Sequence, residues 1–172
     1  MRRNLLKKLV GLSLAVLLSS FISLSAQARG EREGFLVGGS VFFGGDVADL
    51  DAAGGGIGLR IGAGLNERLL LYFEGDNFFT SKFDEFVDIS TALAKAQYFF
   101  TDHVFGNLGI GLGFASIKND TDAGFGMNLG GGYEFRITER FVISPELSFT
   151  YAHINDADLF IPAIKGYFGV YF

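Results

Sequence analysis

From residue 33 onward, apolar side chains recur at every second position rather than every 3.6, which is the period of a half-buried strand. Phe35, Val37, Gly39, Val41 and Phe43 share one face, with Leu36, Gly38, Ser40 and Phe42 on the other. Ile57, Leu59, Ile61, Ala63 and Leu65 then oppose Gly58, Arg60, Gly62 and Gly64. Leu69, Leu71 and Phe73 oppose Leu70, Tyr72, Glu74 and Asp76, while Ala92, Ala94, Ala96, Tyr98 and Phe100 leave Lys95 and Gln97 opposite. Leu108, Ile110, Leu112 and Phe114 alternate with Asn107 and three glycines. Phe125, Met127, Leu129, Tyr133 and Phe135 alternate with Gly126, Asn128, Gly130, Glu134 and Arg136. Ile143, Leu147, Phe149 and Tyr151 face away from Ser144, Glu146, Ser148 and Thr150, and Ile164, Phe168, Val170 and Phe172 from Lys165, Tyr167, Gly169 and Tyr171. These segments predict eight strands. Tight turns at Asn66-Glu67, Thr101-Asp102-His103 and Thr138-Glu139 alternate with longer acidic connectors near 45–52, 77–86, 117–122 and 154–159. The fold class is all-β, an eight-stranded antiparallel up-and-down barrel.

Which face points outward separates a soluble barrel from a transmembrane one, because a soluble barrel turns its apolar face inward. Most segments reach the roughly 9–11 residues that cross a bilayer at a tilt. Aromatic residues collect at the ends of the apolar faces, with Tyr98, Phe100, Tyr133, Phe135 and Phe172 at one end and Phe43, Phe114 and Phe125 at the other. Paired aromatic girdles of this kind mark the two membrane interfaces. The polar faces carry mid-strand charges at Arg60, Glu74, Lys95 and Glu146. On a lipid face a midplane Arg or Lys costs about 2–4 kcal/mol, whereas inside a lumen such charges can pair. The barrel is therefore expected to be transmembrane.

Residues 1–28 read as a secretory signal. Arg2, Arg3, Lys7 and Lys8 form the basic region, Leu9 to Leu24 the apolar region, and Ala26-Gln27-Ala28 the cleavage site. Ser19 and Ser20 interrupt the apolar run, which falls short of the ~20 residues of a spanning helix. The mature chain is then 29–172, one barrel domain, in the bacterial outer membrane. The formal net charge of −5 becomes more negative once four basic residues leave with the signal. That balance excludes nucleic acid as a partner. The chain has no cysteine, so no disulfide, thiol nucleophile or Cys-type zinc site is available.

The terminal Gly166-Tyr-Phe-Gly-Val-Tyr-Phe172 and the internal Gln97-Tyr-Phe-Phe-Thr-Asp102 resemble segments of the small eight-stranded outer-membrane barrels: the OmpA transmembrane domain, OmpX and the opacity-type adhesins. The resemblance covers the whole mature chain. It implies that Phe168, Val170 and Phe172 form the signal read by the barrel-assembly machinery. Gly166 stands one position before the usual glycine of that signal. No OmpA-type peptidoglycan-binding domain is expected to follow.

The inward face predicts a charge network of Arg60, Lys95, Arg136 and Lys165 with Glu74, Asp76, Glu134 and Glu146. Eight strands leave an interior just wide enough for side chains, so pairing into a plug is expected, and a gate or narrow polar channel is the alternative. The outer connectors carry Asp46, Asp49, Asp51, Asp84, Glu85, Asp88, Asp120, Asp122, Asp156 and Asp158 against Lys82 and Lys118. Oxygen-rich loops can hold divalent cations, which would bridge to lipopolysaccharide phosphates, but none has the full calcium-loop pattern. No specific metal site or cofactor is expected. The segment from Glu146 to Leu159 resembles the H-x-S-N-A region of outer-membrane lipid A deacylases. His153 matches the base, but Asn155 stands where the nucleophilic serine would be, and an amide cannot form an acyl-enzyme. No catalytic residue is assigned. His103 lies in a turn without evident ligand partners, and Pro145 on the apolar face removes a ladder donor, which predicts an irregularity.

The functional expectation is a monomeric, non-enzymatic outer-membrane barrel with an envelope or surface-interaction role through short acidic outer loops. Its partners would be outer-membrane lipid and lipopolysaccharide, and the assembly machinery during biogenesis. The alternatives are a narrow channel and an inactive or divergent deacylase-like barrel.

Overall fold

A computed structural model describes residues 32–45, 53–82, 85–117 and 120–172, and their side chains apart from 81–86 and 117–120. The strands are β1 (Gly34–Gly45), β2 (Ala53–Gly64), β3 (Leu69–Lys82), β4 (Glu85–Phe99), β5 (Val104–Ile117), β6 (Asp120–Tyr133), β7 (Phe135–Arg136), β8 (Phe141–Ile154) and β9 (Ala157–Tyr171). Consecutive strands pair antiparallel except β6 and β7, β1 pairs with β9, and β6 with β8, so the sheet closes on itself. β7 continues β6 along the same edge of β8, which makes eight barrel strands from nine segments. The period-two reading holds throughout: Leu59, Phe73, Leu108, Ile110, Leu112, Leu129, Leu147, Phe149 and Ile164 all point outward and are more than half exposed. An apolar belt of this extent is stable only against hydrocarbon.

The break between β6 and β7 falls at Glu134. It is the irregularity expected from Pro145, which has no N–H to give to the strand opposite Tyr133. The register does not change across the break: Gly132 faces Glu146 before it and Phe135 faces Ile143 after it, so it is a gap and not a bulge. On the other edge the pairing with β5 runs on, the Glu134 N–H donating to the His103 carbonyl at 2.8 Å.

At one end of the barrel, three turns repeat one design. Asn66 Oδ1 accepts from the N–H groups of Arg68 and Leu69. Thr101 Oγ1 does the same for His103 and Val104, and Thr138 Oγ1 for Arg140 and Phe141. In each, a further backbone bond spans the turn, as from Leu65 N–H to Leu69 O at 2.8 Å. Short polar side chains that imitate a backbone turn are why these positions read as turns from sequence.

The opposite end corrects the sequence reading. Three of the four connectors expected to be long are largely strand. β3 runs to Lys82 and β4 resumes at Glu85, β5 and β6 are separated by two residues, and β8 and β9 are joined by Asn155-Asp156. Those two residues have φ of 48° and 62°, the left-handed pair of a tight two-residue hairpin turn. This end therefore projects as extended hairpins. Asp46, Asp49, Asp51 and Asp84, Lys118, and the whole signal segment 1–28 lie outside the described residues.

Candidate functional site

The lumen is layered along its axis. Nearest the three turns lies an apolar layer of Leu36, Leu70, Tyr72, Phe99, Phe105, Val142, Tyr167 and Tyr171. Toward the hairpins lies a second, of Phe42, Phe78, Ile89, Ile161 and Ala163. Between them the inward parity of β2, β3, β4, β8 and β9 brings together Arg60, Glu74, Asp76, Lys95, Glu146 and Lys165, all buried.

Glu74 is the hub of this middle layer. Its carboxylate accepts from Arg60 Nε at 2.8 Å, Lys95 Nζ at 2.9 Å and Lys165 Nζ at 3.0 Å. Lys165 also donates to Asp76 at 2.6 Å, and Arg60 to Glu146 at 3.2 Å. Lys95 lies 3.8 Å from Glu146 and donates to Asn128 at 2.7 Å. Backbone register accounts for one of these pairs, Arg60 with Glu74 across β2 and β3, but not for the rest. Glu146 and Lys165 face one another across β8 and β9, yet Glu146 reaches Arg60, and Lys165 crosses the lumen to β3. Each charge is offset by an opposite one at hydrogen-bond distance, which is the condition for burying ions without a large penalty.

Neutral residues complete the layer. The Arg60 guanidinium lies 4.3 Å from the Tyr72 ring centroid and 4.1 Å from that of Tyr167, and donates to Gln97. Two close approaches require glycine: the Tyr167 ring lies over the facing Gly38–Gly169 pair, and the Lys95 stem lies across Gly109. A methyl group at any of these positions would collide with the side chain above it.

The other two expected network members, Glu134 and Arg136, form a separate cluster at the turn end. It is organised by a residue that sequence reasoning missed. Arg32 donates to Glu134 at 3.0 Å and to the carbonyls of Glu67, at 3.0 Å, and Asp102, and it stacks 3.7 Å from the Phe99 centroid. Arg136 lies 3.6 Å from Glu134, and Tyr171 donates to the same carboxylate at 3.2 Å. Parity held the clue, because Arg32 continues the inward set of Leu36, Gly38, Ser40 and Phe42 below the first strand.

Outside the barrel, His153 and Asp158 face each other near the β8–β9 tip, with Nδ1 2.8 Å from the carboxylate, and Tyr151 O–H donates to the same oxygen at 2.7 Å. Asn155 sits in the turn and donates to Asp122 at 3.2 Å. Asp122 and Asp156 are exposed. His103 stacks on Tyr133, and its Nδ1 bonds the Glu134 carbonyl. Phe168 and Phe172 point outward on and just after β9, with Val170 half-buried between them. Among the described residues, no group of three or more His, Asp or Glu converges as a metal site.

The family model described as outer membrane protein beta-barrel domain matches residues 14–169. Among solved structures, Neisserial surface protein A superposes with a TM-score of 0.66 at 18% identity, covering 80% of this chain and 97% of that one. The attachment invasion locus protein Ail of Yersinia pestis gives 0.51 at 16% identity, covering 78% and 95%. The N-terminal β-barrel domain of Pseudomonas aeruginosa OprF gives 0.51 at 17%, covering 78% and 96%. At these identities the likeness is one of fold. Comparison with curated protein sequences gave no match.

Proposed function

This chain belongs to the outer membrane β-barrel domain family and resides in the bacterial outer membrane, and from that premise we propose that it is a non-enzymatic barrel with a closed lumen, serving the envelope through its outer surface. In such barrels the tight end faces the periplasm and the end with the larger excursions faces outward. The end bearing Asp122, Asp156 and Asp158, where paired strands run on as extended hairpins and β1 and β2 are joined by the longest connection, is therefore read as the outer one.

One observation carries the closed-lumen reading: the middle layer of ion pairs is sealed above and below by apolar side chains. The cavity beside Lys165, Asp76 and Thr91 measures only about 20 Å³, room for about one water. The test is conductance of the folded protein in a planar bilayer, with folding checked by heat-dependent gel mobility. The closed barrel gives a silent bilayer. Discrete, reproducible current steps from the unmodified protein overturn it.

The proposed partners follow from the surface. The apolar belt contacts outer-membrane lipid, and the acidic hairpins meet lipopolysaccharide phosphates through bridging divalent cations. Phe168, Val170 and Phe172 present the assembly signal during biogenesis, and the barrel acts as a monomer without nucleic acid. The narrow-channel alternative draws on one feature. Both amide atoms of Asn107 and Glu146 Oε1 are buried without a hydrogen-bond partner among the described residues, beside inward Gly130. Water could satisfy them, and conductance decides between the readings. For deacylation, His153 has an acidic partner in Asp158, but the nucleophile position is an asparagine bound to Asp122. Unchanged lipid A acylation in cells overproducing the protein supports the non-enzymatic reading, and loss of an acyl chain overturns it.

A further inference from the structure

The mouth at the turn end holds a polar cavity of about 410 Å³, bordered by Arg32, Glu67, Arg68, Asp102, His103 and Arg136. Arg32 is the buried member, and its hydrogen bonds are spent on structure. Nε donates to Glu134 and the two terminal nitrogens to the Glu67 and Asp102 carbonyls. One guanidinium thus fixes the backbone of two turns, which the Asn66 and Thr101 side chains also cap. His103 is held by its stack on Tyr133 and by Nδ1, 3.1 Å from the Glu134 carbonyl. A carbonyl only accepts, so Nδ1 carries the hydrogen and Nε2 of the neutral ring is an acceptor. The frame is fixed, whereas its outer side chains are uncommitted. The Arg68 guanidinium and the Glu67 and Asp102 carboxylates are exposed and make no ion pair or hydrogen bond among the described residues.

Opposite charges that border one cavity without meeting select a particular kind of ligand. Arg32, Arg68 and Arg136 stand against Glu67, Asp102 and Glu134, so the surround is balanced. Glu134 already offsets Arg32 and Arg136. A simple anion in the cavity gains Arg68 but meets the carboxylates of Glu67 and Asp102, and a simple cation meets Arg68. A molecule with carboxylate and ammonium on one carbon gives each side an opposite partner.

We propose that this cavity binds the zwitterionic end of an amino acid, its carboxylate on Arg68 and its ammonium on Asp102, Glu67 and His103 Nε2. The source that fits the place is the cell wall. It lies beneath the outer membrane, and its peptide stems carry a diamino acid with one free ammonium–carboxylate centre. The site rests on the reading of the turn end as periplasmic. It goes beyond that reading by giving the closed barrel a contact on its inner side, in which the lipid belt and the acidic hairpins take no part. Arg32 acts as a positioning residue for the two turns.

The test is two-dimensional NMR of the isotope-labelled protein folded in detergent micelles, where a dispersed spectrum shows that each variant folds. The probe is the N-acetylmuramoyl tripeptide ending in meso-diaminopimelate. It is titrated beside the same peptide acetylated on the diaminopimelate ammonium, and beside free meso-diaminopimelate. The expected result is a set of saturable shifts confined to the backbone N–H groups of Glu67, Arg68, Asp102 and His103. Acetylation of the probe weakens binding about tenfold, the scale of one hydrogen bond to a charged group, and Arg68→Gln and Asp102→Asn each do the same. Tighter binding of the tripeptide than of free diaminopimelate assigns the wall as the source, and equal binding overturns that source. No saturable shift, equal affinity for the acetylated peptide, or unchanged affinity in both variants overturns the site. The chain has no cysteine, so Glu139→Cys in the third turn reports orientation separately. Protection from a membrane-impermeant maleimide in intact cells, with labelling after permeabilisation, is the expected result. Labelling in intact cells overturns the periplasmic reading and the wall contact with it, while binding in micelles judges the cavity on its own.

Discussion

The lumen holds two ion clusters, and they are built on different principles. In the middle layer, carboxylates and cations bind one another: Glu74 serves Arg60, Lys95 and Lys165, and no backbone group takes part in those contacts. At the turn end, the mouth of the barrel, one carboxylate, Glu134, receives Arg32, Arg136 and Tyr171, but Arg32 also holds the carbonyls of two turns and the face of Phe99. Arg136 remains about one-fifth exposed, while every middle-layer charge is essentially sealed. The middle cluster is a closed exchange among ions and depends on each member. The mouth cluster is a latch with spare attachments.

The largest effect should therefore come from the hub. Glu74→Ala leaves Arg60, Lys95 and Lys165 sharing Glu146 and Asp76, with surplus positive charge in a sealed layer. Breaking a buried pair in this way costs about 3–5 kcal/mol. The measurement is the urea midpoint of reversible folding into vesicles, and a loss below about 1 kcal/mol would mean that water already reaches the layer. Next comes a charge at the same depth but on the other side of the wall. Leu59 adjoins Arg60 in sequence and is 63% exposed to the membrane. Leu59→Arg places an unpaired guanidinium near the bilayer midplane and should cost about 2–4 kcal/mol by the same assay. Together these two substitutions ask whether Arg60 is tolerated because of its depth or because of its partners.

The same contrast explains what the sequence could reveal. The middle layer was legible because its charges interrupt strands whose opposite faces are unbroken apolar runs, so parity alone sends Arg60, Glu74, Lys95, Glu146 and Lys165 inward. Which anion each cation meets was not legible, because that depends on strand tilt and lumen width: Glu146 passes over its register partner Lys165 to reach Arg60. Tyr72, Gln97, Asn128 and Tyr167 carry no formal charge and did not stand out, although they complete the layer. Arg32 precedes the first apolar alternation, and its parity with Leu36, Gly38, Ser40 and Phe42 was the one mark that it faces inward. The hairpins at the opposite end were misread as loops for a related reason. Beyond the hydrocarbon no lipid enforces alternation, so the stretches around Asn77–Thr80 and Asp120–Asp122 lose the period while keeping the strand pairing.

At the mouth, Glu134→Gln tests the latch. Glutamine keeps an acceptor oxygen for Arg32 but removes the charge, and Arg32 retains the Glu67 and Asp102 carbonyls. The expected loss is about 1.5 kcal/mol, the low end for a hydrogen bond to a charged group. A loss as large as that of Glu74→Ala would show that the two clusters are energetically alike and would break the comparison. The bilayer should stay silent in this variant, because the middle layer and both apolar layers remain intact.

The smallest effect belongs to the turns around this mouth. The Thr138 hydroxyl accepts from two backbone N–H groups, of Arg140 and Phe141, in the turn that leads into β8. Thr138→Ala removes both bonds, but the turn is exposed, so water can take the place of the hydroxyl and the cost should be about 0.5–1 kcal/mol. The equivalent change at Thr101 uncaps His103 and Val104, and it also loosens a turn whose Asp102 carbonyl holds Arg32. The two turns share the capping pattern, but the Thr101 turn also carries His103 against Tyr133 and Glu134, so the Arg32→Ala background is what isolates the latch. If Arg32 couples the turns, Thr101→Ala costs more than Thr138→Ala, and the excess disappears in an Arg32→Ala background. Equal costs in both backgrounds would mean that Arg32 only fills the mouth and ties nothing together.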